Sequence, residues 1–194
     1  MKTSPVPFAT LLAGLADPDS QVRRRTITNV MRRRNERGQA FASLLALLAD
    51  PEYQVRKAAI KALGTLGDPR AIPALRALLT HQSSRLRLLA LRTLVQVDHR
   101  QPIPYLLTAL HDQSASIRWK AIRILGTLGN GRTVDPLIAA LGDADAWVRA
   151  NAAMALGTLG NGRAIQPLRA LLADPNPEVT QRARKAIAQL EGPM

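Results

Sequence analysis

The chain has 194 residues, a net charge of +13 and no cysteine. Its length predicts a single domain, and the absence of cysteine excludes disulfides, zinc–cysteine sites and cysteine nucleophiles. Apolar residues make up 46% of the chain, which is enough for a core of its own. The excess of Lys and Arg over Asp and Glu favours an acidic partner.

The segment FATLLAGLAD at 8–17 has the apolar character of a signal peptide, but it recurs as FASLLALLAD at 41–50 with eight of ten positions identical. A segment that is copied within the chain indicates structure and not a targeting signal. No run of 18 apolar residues is present, so the sequence predicts no membrane-spanning helix. We therefore expect a cytoplasmic protein.

An apolar residue followed by Arg recurs along the chain every 31 to 33 residues. The motif GTLGNGR also occurs twice, at 126–132 and 157–163, and GTLGDPR at 64–70 is a near copy. A fixed period of this size is typical of a stacked repeat array. The apolar–Arg pairs are Val22-Arg23, Val55-Arg56, Leu86-Arg87, Ile117-Arg118 and Val148-Arg149, with Val179-Thr180 as a degraded sixth copy. The six repeats span approximately 5–37, 38–68, 69–99, 100–130, 131–161 and 162–192.

Each repeat predicts two helices joined by a turn. The first helix has about ten residues, as in AIPALRALLT at 71–80, with apolar side chains at helical spacing. The turn usually begins with Asp. The second helix runs from the apolar–Arg pair to a glycine, and Gly67, Gly129 and Gly160 suit the left-handed conformation that ends a helix. The sequence thus predicts an all-α fold of six helix pairs.

These repeats resemble HEAT repeats, and more narrowly the HEAT-like repeat of the phycobilisome lyase family. The matching pattern is D-x4-[VLI]-R-x2-A-x3-[LI]-G-x-L-G-[DN], followed by A-I-x-P-L-x-x-L-L, and it fits best in repeats two, four and five. The resemblance implies an α-solenoid (α-α superhelix) of six HEAT-like helix pairs that fills a single domain, 1–194. It also implies a protein-binding scaffold or, within the lyases, a bilin lyase that acts as a pair of related chains.

We number each second helix from its apolar residue as position 0, at about 100° per residue. Positions 0, 4, 8 and 11 then face the first helix of the same repeat, and the flanking positions face the neighbouring repeats. In repeat one, positions 3, 7 and 11 are the polar residues Arg25, Asn29 and Arg33, and in repeat six position 5 is Arg184. Polar outer faces cap a solenoid, so we expect a nearly complete array.

The Arg of the apolar–Arg pair follows the turn Asp by six residues in four repeats. In HEAT-like repeats such residues form a ladder between adjacent repeats, and we expect each pair to contribute roughly 0–1 kcal/mol. Repeat three has His81 with Arg87 and repeat six has Asp174 with Thr180, so the predicted ladder is incomplete. The ladder residues are Asp17, Arg23, Asp50, Arg56, Asp112, Arg118, Asp143 and Arg149.

The outward positions 2, 6, 9 and 10 of the second helices carry basic residues and no acid, whereas acids collect in the turns. In HEAT-like solenoids the second helices line the concave surface, so we expect this row to bind a partner. The alternative interpretation is a solvated helix face, because Lys and Arg are good helix formers. We name this set, with Lys120 at position 3, the basic row: Arg24, Arg32, Lys57, Lys61, Arg92, Trp119, Lys120, Arg123, Met154 and Lys185.

Repeat one contains seven Arg within residues 23–37. This cluster predicts either a phosphate-binding patch or a cap that charge makes soluble. Trp119 lies between Lys120 and Arg123 at an outward position, where a Trp can anchor a partner or stack on a base. Its alternative role is to lie flat over the neighbouring Lys and Arg side chains, and for Trp147 we expect packing over the turn.

Motifs for catalysis are missing from the sequence. The three His have no H-E-x-x-H or paired-His spacing, so no metal is expected. No phosphate loop or nucleophile elbow occurs, and no pair of carboxylates shares the basic row, so acid–base chemistry there lacks its parts. The sequence therefore favours a non-catalytic protein with no cofactor.

Three functions remain open at this point. The first is a non-catalytic HEAT-repeat scaffold or adaptor that binds an acidic protein partner through the basic row. The second is nucleic-acid binding by the same row together with the Arg cluster of repeat one. The third, which rests on the family resemblance, is a subunit of a heteromeric bilin lyase of the phycobilisome type.

Overall fold

The structure, a computed structural model, describes residues 7–129 and 131–192, and every regular element in these ranges is helical. Short and long α-helices alternate, two to a repeat, with a turn between them. The predicted all-α fold of six helix pairs is confirmed. In the described part of the chain, no helix is long and apolar enough to cross a membrane.

The chain divides into two compact units, residues 1–102 and 103–194, with three repeats in each. The helices of unit 1 are α1 (Phe8–Ala13), α2 (Ser20–Arg32), α3 (Phe41–Ala46), α4 (Tyr53–Leu66), α5 (Ile72–Ala77) and α6 (Ser84–Val97). Those of unit 2 are α7 (Ile103–Ala109), α8 (Ala115–Leu128), α9 (Val134–Ala139), α10 (Ala146–Leu159), α11 (Ile165–Ala170) and α12 (Pro177–Glu191). A single domain over 1–194 stays a prediction.

The first helices are shorter than the sequence predicts. The segment 71–80 divides into α5 and a closing 3-10 turn, Leu78–Thr80, and a further 3-10 turn, Pro69–Ala71, precedes it. Tighter i→i+3 bonds are a common way to satisfy the last carbonyls of a helix. The chain then leaves in an extended conformation, as at His81 with φ −63° and ψ 143°, which starts the turn to the second helix.

The second helices begin and end on local signals. Asp19 and Asn176 accept main-chain N–H groups at the starts of α2 and α12, which satisfies donors that a helix start leaves free. Gly67, Gly129 and Gly160 follow α4, α8 and α10 with φ of 67°, 62° and 69°. These left-handed residues confirm the predicted glycine stops.

The core of each repeat lies between its two helices. In α10, Val148, Ala152 and Leu156 at positions 0, 4 and 8 are fully buried, and α10 packs against α9. At position 5, Ile60 is also fully buried, whereas Arg184 is exposed. Burial of the apolar stripe supplies the main stabilisation of each pair, about 1.5–3 kcal/mol for each large side chain.

Position 9 was expected to point to solvent, and this prediction is wrong where that position is glycine. Gly126 and Gly157 are buried because the next second helix passes directly over them. A Cβ atom at Gly126 would lie 2.8 Å from Ala155 Cβ, and one at Gly157 would lie 2.9 Å from Ala186 Cα. Within unit 2, glycine at position 9 therefore sets how closely neighbouring second helices approach.

We expect Gly157→Ala to lower the free energy of unfolding by about 1–2 kcal/mol, because overpacking against the α12 main chain outweighs the better helix propensity of Ala. Urea unfolding followed by circular dichroism measures the change. Gly142→Ala is the matched control, since a Cβ there meets nothing within 4 Å. Equal stability of the two variants would show that the close approach of α12 to α10 does not limit the size of residue 157.

Candidate binding surface

A groove of about 550 Å³ runs between the second helices α2 and α4 in unit 1. Three members of the basic row, Arg24, Lys57 and Lys61, line it together with Arg25. Lys57 is half-buried and the other three cations are exposed. The structure therefore brings three of the predicted residues to one surface and adds a fourth cation that the sequence analysis had assigned to a cap.

None of these four cations has an ion-pair partner among the described residues. Two side-chain amides, Gln21 and Gln54, also line the groove, as do Thr28 and the carboxylate of Asp19. Asp19 Oδ1 accepts the main-chain N–H of Gln21 at 2.8 Å, which fixes this acid at the start of α2. The groove thus has four free cations, two amides and one acid, so its net charge is positive.

The other two members of the row in unit 1, Arg32 and Arg92, are exposed but do not line this groove. Arg32 lies in the last turn of α2, and Arg92 lies on α6. Cations in the last turn of a helix interact favourably with its dipole, so Arg32 has a structural role available to it as well. The groove between α2 and α4 is therefore a concave site that three residues of the row help to form within unit 1.

In unit 2, two cations of the basic row lie beside Trp119. Lys120 Nζ lies 5.3 Å from the centre of the Trp119 ring and the guanidinium carbon of Arg123 lies 5.6 Å from it. Trp119 and Lys120 are half-buried, and Arg123 is exposed. The two cations therefore stack on the ring within cation–π distance, in agreement with the interpretation in which Trp119 packs against Lys and Arg side chains.

The remaining members of the row in unit 2 are Met154 and Lys185. Met154 is half-buried and its Sδ atom accepts a hydrogen bond from Arg182 Nη1 at 3.0 Å, while Arg182 Nε donates to Glu178 at 2.7 Å. Lys185 is exposed on α12. Trp147, which we expected to pack over a turn, is 51% exposed.

The turns share one geometry, which the ladder arginines hold in place. Within a repeat, the Arg donates through Nη1 to the main-chain carbonyl of the Asp six residues earlier, as Arg23 does to Asp17 at 2.7 Å. Its Nε and Nη2 atoms donate to the carboxylate of the next repeat. These second contacts are bidentate and short: Arg23–Asp50 at 2.7 and 2.9 Å, Arg118–Asp143 at 2.8 and 2.8 Å, and Arg149–Asp174 at 2.7 and 2.9 Å.

This register corrects two details of the sequence analysis. Asp174 is not without a base, because Arg149 of the preceding repeat binds it. The gap within unit 1 lies at Arg56, whose Nε atom is buried without a hydrogen-bond partner. Its partner position in the next repeat is His81, whose Nδ1 accepts the Ser83 N–H at 2.9 Å. His81 therefore reproduces the turn bond of the Asp but not its charge.

The ladder shifts the titration of its members. Burial acts to raise the pKa of Asp50, but the hydrogen bonds from Arg23 and from the Glu52 N–H outweigh it, so this pKa lies below its ordinary value of 3.8. The same balance lowers the pKa of Asp143, and for Asp174 the hydrogen bond from Arg149 is the largest cause of a lowered pKa. All three acids are thus held in their charged form.

A lowered pKa in the folded state adds stability above the unfolded pKa, and that stability is lost as pH falls through the folded value. We therefore expect the urea midpoint to be steady from about pH 7 to about pH 5 and to fall below about pH 4. In the single variant Asp50→Asn, this acid-dependent fall should be reduced. A pH profile parallel to that of the wild type would show that the ladder does not contribute to acid sensitivity.

The Arg cluster of repeat one is only partly available to a ligand. Arg23 is 9% exposed and bound to Asp50, so it belongs to the ladder. Arg33 approaches Glu36 at 3.8 Å. The exposed members are Arg24, Arg25, Arg32 and Arg34, and two of these line the groove. Within residues 7–129 and 131–192, no group of three or more His, Asp and Glu side chains is placed to hold a metal ion.

Comparison with known proteins assigns the class of this helical-repeat fold. The model of the HEAT repeat family matches residues 8–95, 77–143 and 103–188. The chain therefore belongs to the HEAT repeat family. The match is to HEAT repeats in general, and the narrower resemblance to phycobilisome lyases stays a prediction. No curated protein matches the chain.

Three solved structures with similar folds are designed or engineered proteins. A designed armadillo repeat protein in complex with the peptide (KR)4 is 19% identical, with a TM-score of 0.60 over 93% of this chain and 98% of that one. A computationally designed armadillo repeat protein for modular peptide recognition is 19% identical, with a TM-score of 0.58 over 94% and 99%. An engineered protein is 21% identical, with a TM-score of 0.58 over 94% and 97%. At these identities the likeness shows the fold alone.

Proposed function

We propose that this protein is a non-catalytic HEAT-repeat adaptor that binds an acidic protein partner through the basic row. The observation that carries the proposal is the groove between α2 and α4, whose four cations have no internal ion-pair partner among the described residues. The ladder arginines, by contrast, are bound by the protein itself. An unpaired set of cations in a groove favours an anionic ligand, because complementary charge speeds and orients association.

The charge of the groove sets the kind of partner. The designed armadillo repeat protein described above is in complex with a peptide of Lys and Arg. The groove of the present protein carries positive charge, so a ligand of the opposite sign is complementary to it. We also propose that this binding takes place in the cytoplasm, which is the location that the sequence predicts.

The test is the binding of poly-L-glutamate to the protein, measured by calorimetry at low salt. We expect Lys57→Glu/Lys61→Glu to weaken binding by about tenfold or more, because the variant places two negative charges in the groove. Arg76→Glu/Arg100→Glu is the matched control, since both residues are exposed and lie outside the groove and it changes the net charge equally. Equal loss in both variants, or no binding by the wild type, would overturn the proposal.

Nucleic-acid binding is the second candidate, and the exposed Arg24, Arg25, Arg32 and Arg34 favour it. If roughly 5 phosphates are neutralised, the logarithm of the binding constant should fall with the logarithm of salt concentration at a slope of about −4 to −5. Titration of duplex DNA and of RNA over a salt series measures this slope. An affinity that does not depend on salt would exclude this function.

The resemblance to the HEAT-like repeat of phycobilisome lyases supports a third candidate, a subunit of a heteromeric bilin lyase. It depends on the repeat motif alone, which fits best in repeats two, four and five. Such a subunit should bind bilin together with its related partner chain, and the absorbance of the bound bilin measures this directly. Failure to bind bilin with that partner would exclude it.

A further inference from the structure

The two walls of the groove between α2 and α4 repeat each other. Position −1 is Gln21 on α2 and Gln54 on α4, and position 2 is Arg24 on α2 and Lys57 on α4. Position 6 is Thr28 and Lys61, respectively, and both also line the groove. Each wall therefore begins with an amide and continues with a cation, and the α4 wall adds a second cation one turn later.

The spacing along the α4 wall matches an extended peptide. Lys57 and Lys61 are four residues apart, which is about 6 Å along a helix axis. Alternate residues of an extended chain are about 6.6–6.8 Å apart and point the same way. Two carboxylates separated by one residue can therefore meet both lysines at once, whereas adjacent carboxylates point to opposite sides. From Gln54 to Lys61 the wall is about 10 Å long, the length of three extended residues.

We propose that this groove binds an extended acidic peptide segment in which two acidic residues are separated by one residue. Lys57 and Lys61 pair with the two carboxylates, and Arg24 on the opposite wall adds positive charge beside the first. Gln21 and Gln54 hydrogen-bond to the peptide main chain, since each amide both donates and accepts. This inference rests on the proposed function and specifies the partner of the same site.

Several features of the groove favour a peptide over a nucleic acid. Paired amides suit a peptide main chain, which alternates donors and acceptors, whereas a phosphodiester backbone offers acceptors only. The Asp19 carboxylate lies in the same lining, and a second, smaller groove of about 240 Å³ shares Gln21, Arg24 and Gln54 and adds Glu52. A phosphodiester backbone carries its charge in the main chain and would bring it beside both acids, whereas a peptide main chain is uncharged there.

The experiment compares capped synthetic peptides of identical composition, each with two glutamates among glycines and serines, in which the glutamates are adjacent, one residue apart or two residues apart. Fluorescence anisotropy at low salt measures binding to the full chain. We expect the peptide with one intervening residue to bind about tenfold more tightly than the other two. Lys57→Gln and Lys61→Gln should each reduce the three affinities to one common value. Arg76→Gln, at an exposed position on α5 outside the groove and outside the basic row, should leave the preference unchanged.

The outcomes separate the spacing from the broader function. If poly-L-glutamate binds through Lys57 and Lys61 but the three peptides bind equally, the adaptor function stands and the spacing is overturned. If no acidic peptide or polymer binds, both are overturned. If a single-stranded oligonucleotide binds more tightly than the peptides and loses affinity in Lys61→Gln, the ligand is a nucleic acid and the peptide assignment is overturned. Gln54→Ala, which removes an amide without changing charge, should weaken the preferred peptide about threefold.

Discussion

Asp50→Asn is expected to lower the free energy of unfolding by about 3 kcal/mol. The Asp50 side chain is 4% exposed and that of its partner Arg23 is 10% exposed, so the substitution leaves a guanidinium without its counter-charge in a buried place. The Glu52 N–H donates to Asp50 at 2.8 Å, and the side-chain oxygen of Asn can still accept this bond. The substitution therefore measures the contribution of the ion pair separately from that of the turn hydrogen bond. Urea unfolding near neutral pH measures the loss.

Asp17→Asn is the control for this prediction. Asp17 occupies the same turn position in repeat one and accepts the Asp19 N–H at 2.8 Å, but no Arg side chain pairs with its carboxylate among the described residues. We expect a change within about 0.5 kcal/mol. If the two variants lose equal stability, the ladder adds nothing beyond the turn. The value of roughly 0–1 kcal/mol that the sequence predicts for each pair applies to exposed ion pairs, whereas Arg23 and Asp50 are buried.

His81→Asp is expected to raise the free energy of unfolding by about 2 kcal/mol. Arg56 Nε is buried without a hydrogen-bond partner, and an unsatisfied buried donor costs about 1–3 kcal/mol. Arg56 already donates to the Asp50 and Pro51 carbonyls at 2.6 and 2.8 Å, as Arg23 does in its own repeat. An Asp at 81 would therefore face a guanidinium that is already oriented, and urea unfolding measures the gain.

Two controls test the cause of this gain. His99→Asp makes the same change of residue type at an exposed site, and we expect it to alter stability by less than about 0.5 kcal/mol. When Arg56→Met is already present, adding His81→Asp should give no gain. The guanidinium that would donate hydrogen bonds to the new carboxylate is then absent. A gain that persists in that double variant would show that the ion pair is not its source.

The helix pairs could be predicted from the sequence because their signals are local. Apolar residues at positions 0, 4 and 8 mark the buried face, and glycines mark the ends of α4, α8 and α10. The division of the first helices into α-helix and 3-10 turn could not be predicted in this way. It depends on which carbonyls remain to be satisfied where the chain turns toward the next helix.

The register of the ladder could not be predicted from the spacing of six residues between Asp and Arg. That spacing describes a contact to a main-chain carbonyl, as between Arg118 and Asp112 at 2.8 Å. The ion pairs join residues 25 apart in sequence, as between Arg118 and Asp143, or 27 apart, as between Arg23 and Asp50. Which carboxylate is in reach depends on how adjacent repeats stack. The burial of Gly126 and Gly157 also depends on how adjacent repeats stack. It could not be predicted from hydropathy, because glycine has no side chain that would mark a helix contact.

The candidate groove was predicted in part. Arg24, Lys57 and Lys61 were placed on an outward row by their positions on the helix, and they line one groove. Arg25 was left out of the basic row because position 3 of repeat one was assigned to the cap, although the Arg cluster that includes Arg25 was also considered as a phosphate-binding patch. Gln21 and Gln54 were missed because a single polar residue on a helix surface gives no signal. Their recurrence at position −1 of neighbouring repeats is the signal that a comparison of repeats provides.

The ladder also explains how a chain of this kind can change in length. The partners in Arg118–Asp143 and in Arg149–Asp174 are each 25 residues apart in sequence. A duplicated block of 31 residues therefore brings one guanidinium and one carboxylate. The new Arg meets the next turn, and the new Asp receives the preceding Arg, so every buried charge remains matched. Duplication of an interior repeat therefore leaves no ladder residue of that block without a partner. An array can lengthen by whole repeats while the contacts between adjacent repeats stay the same.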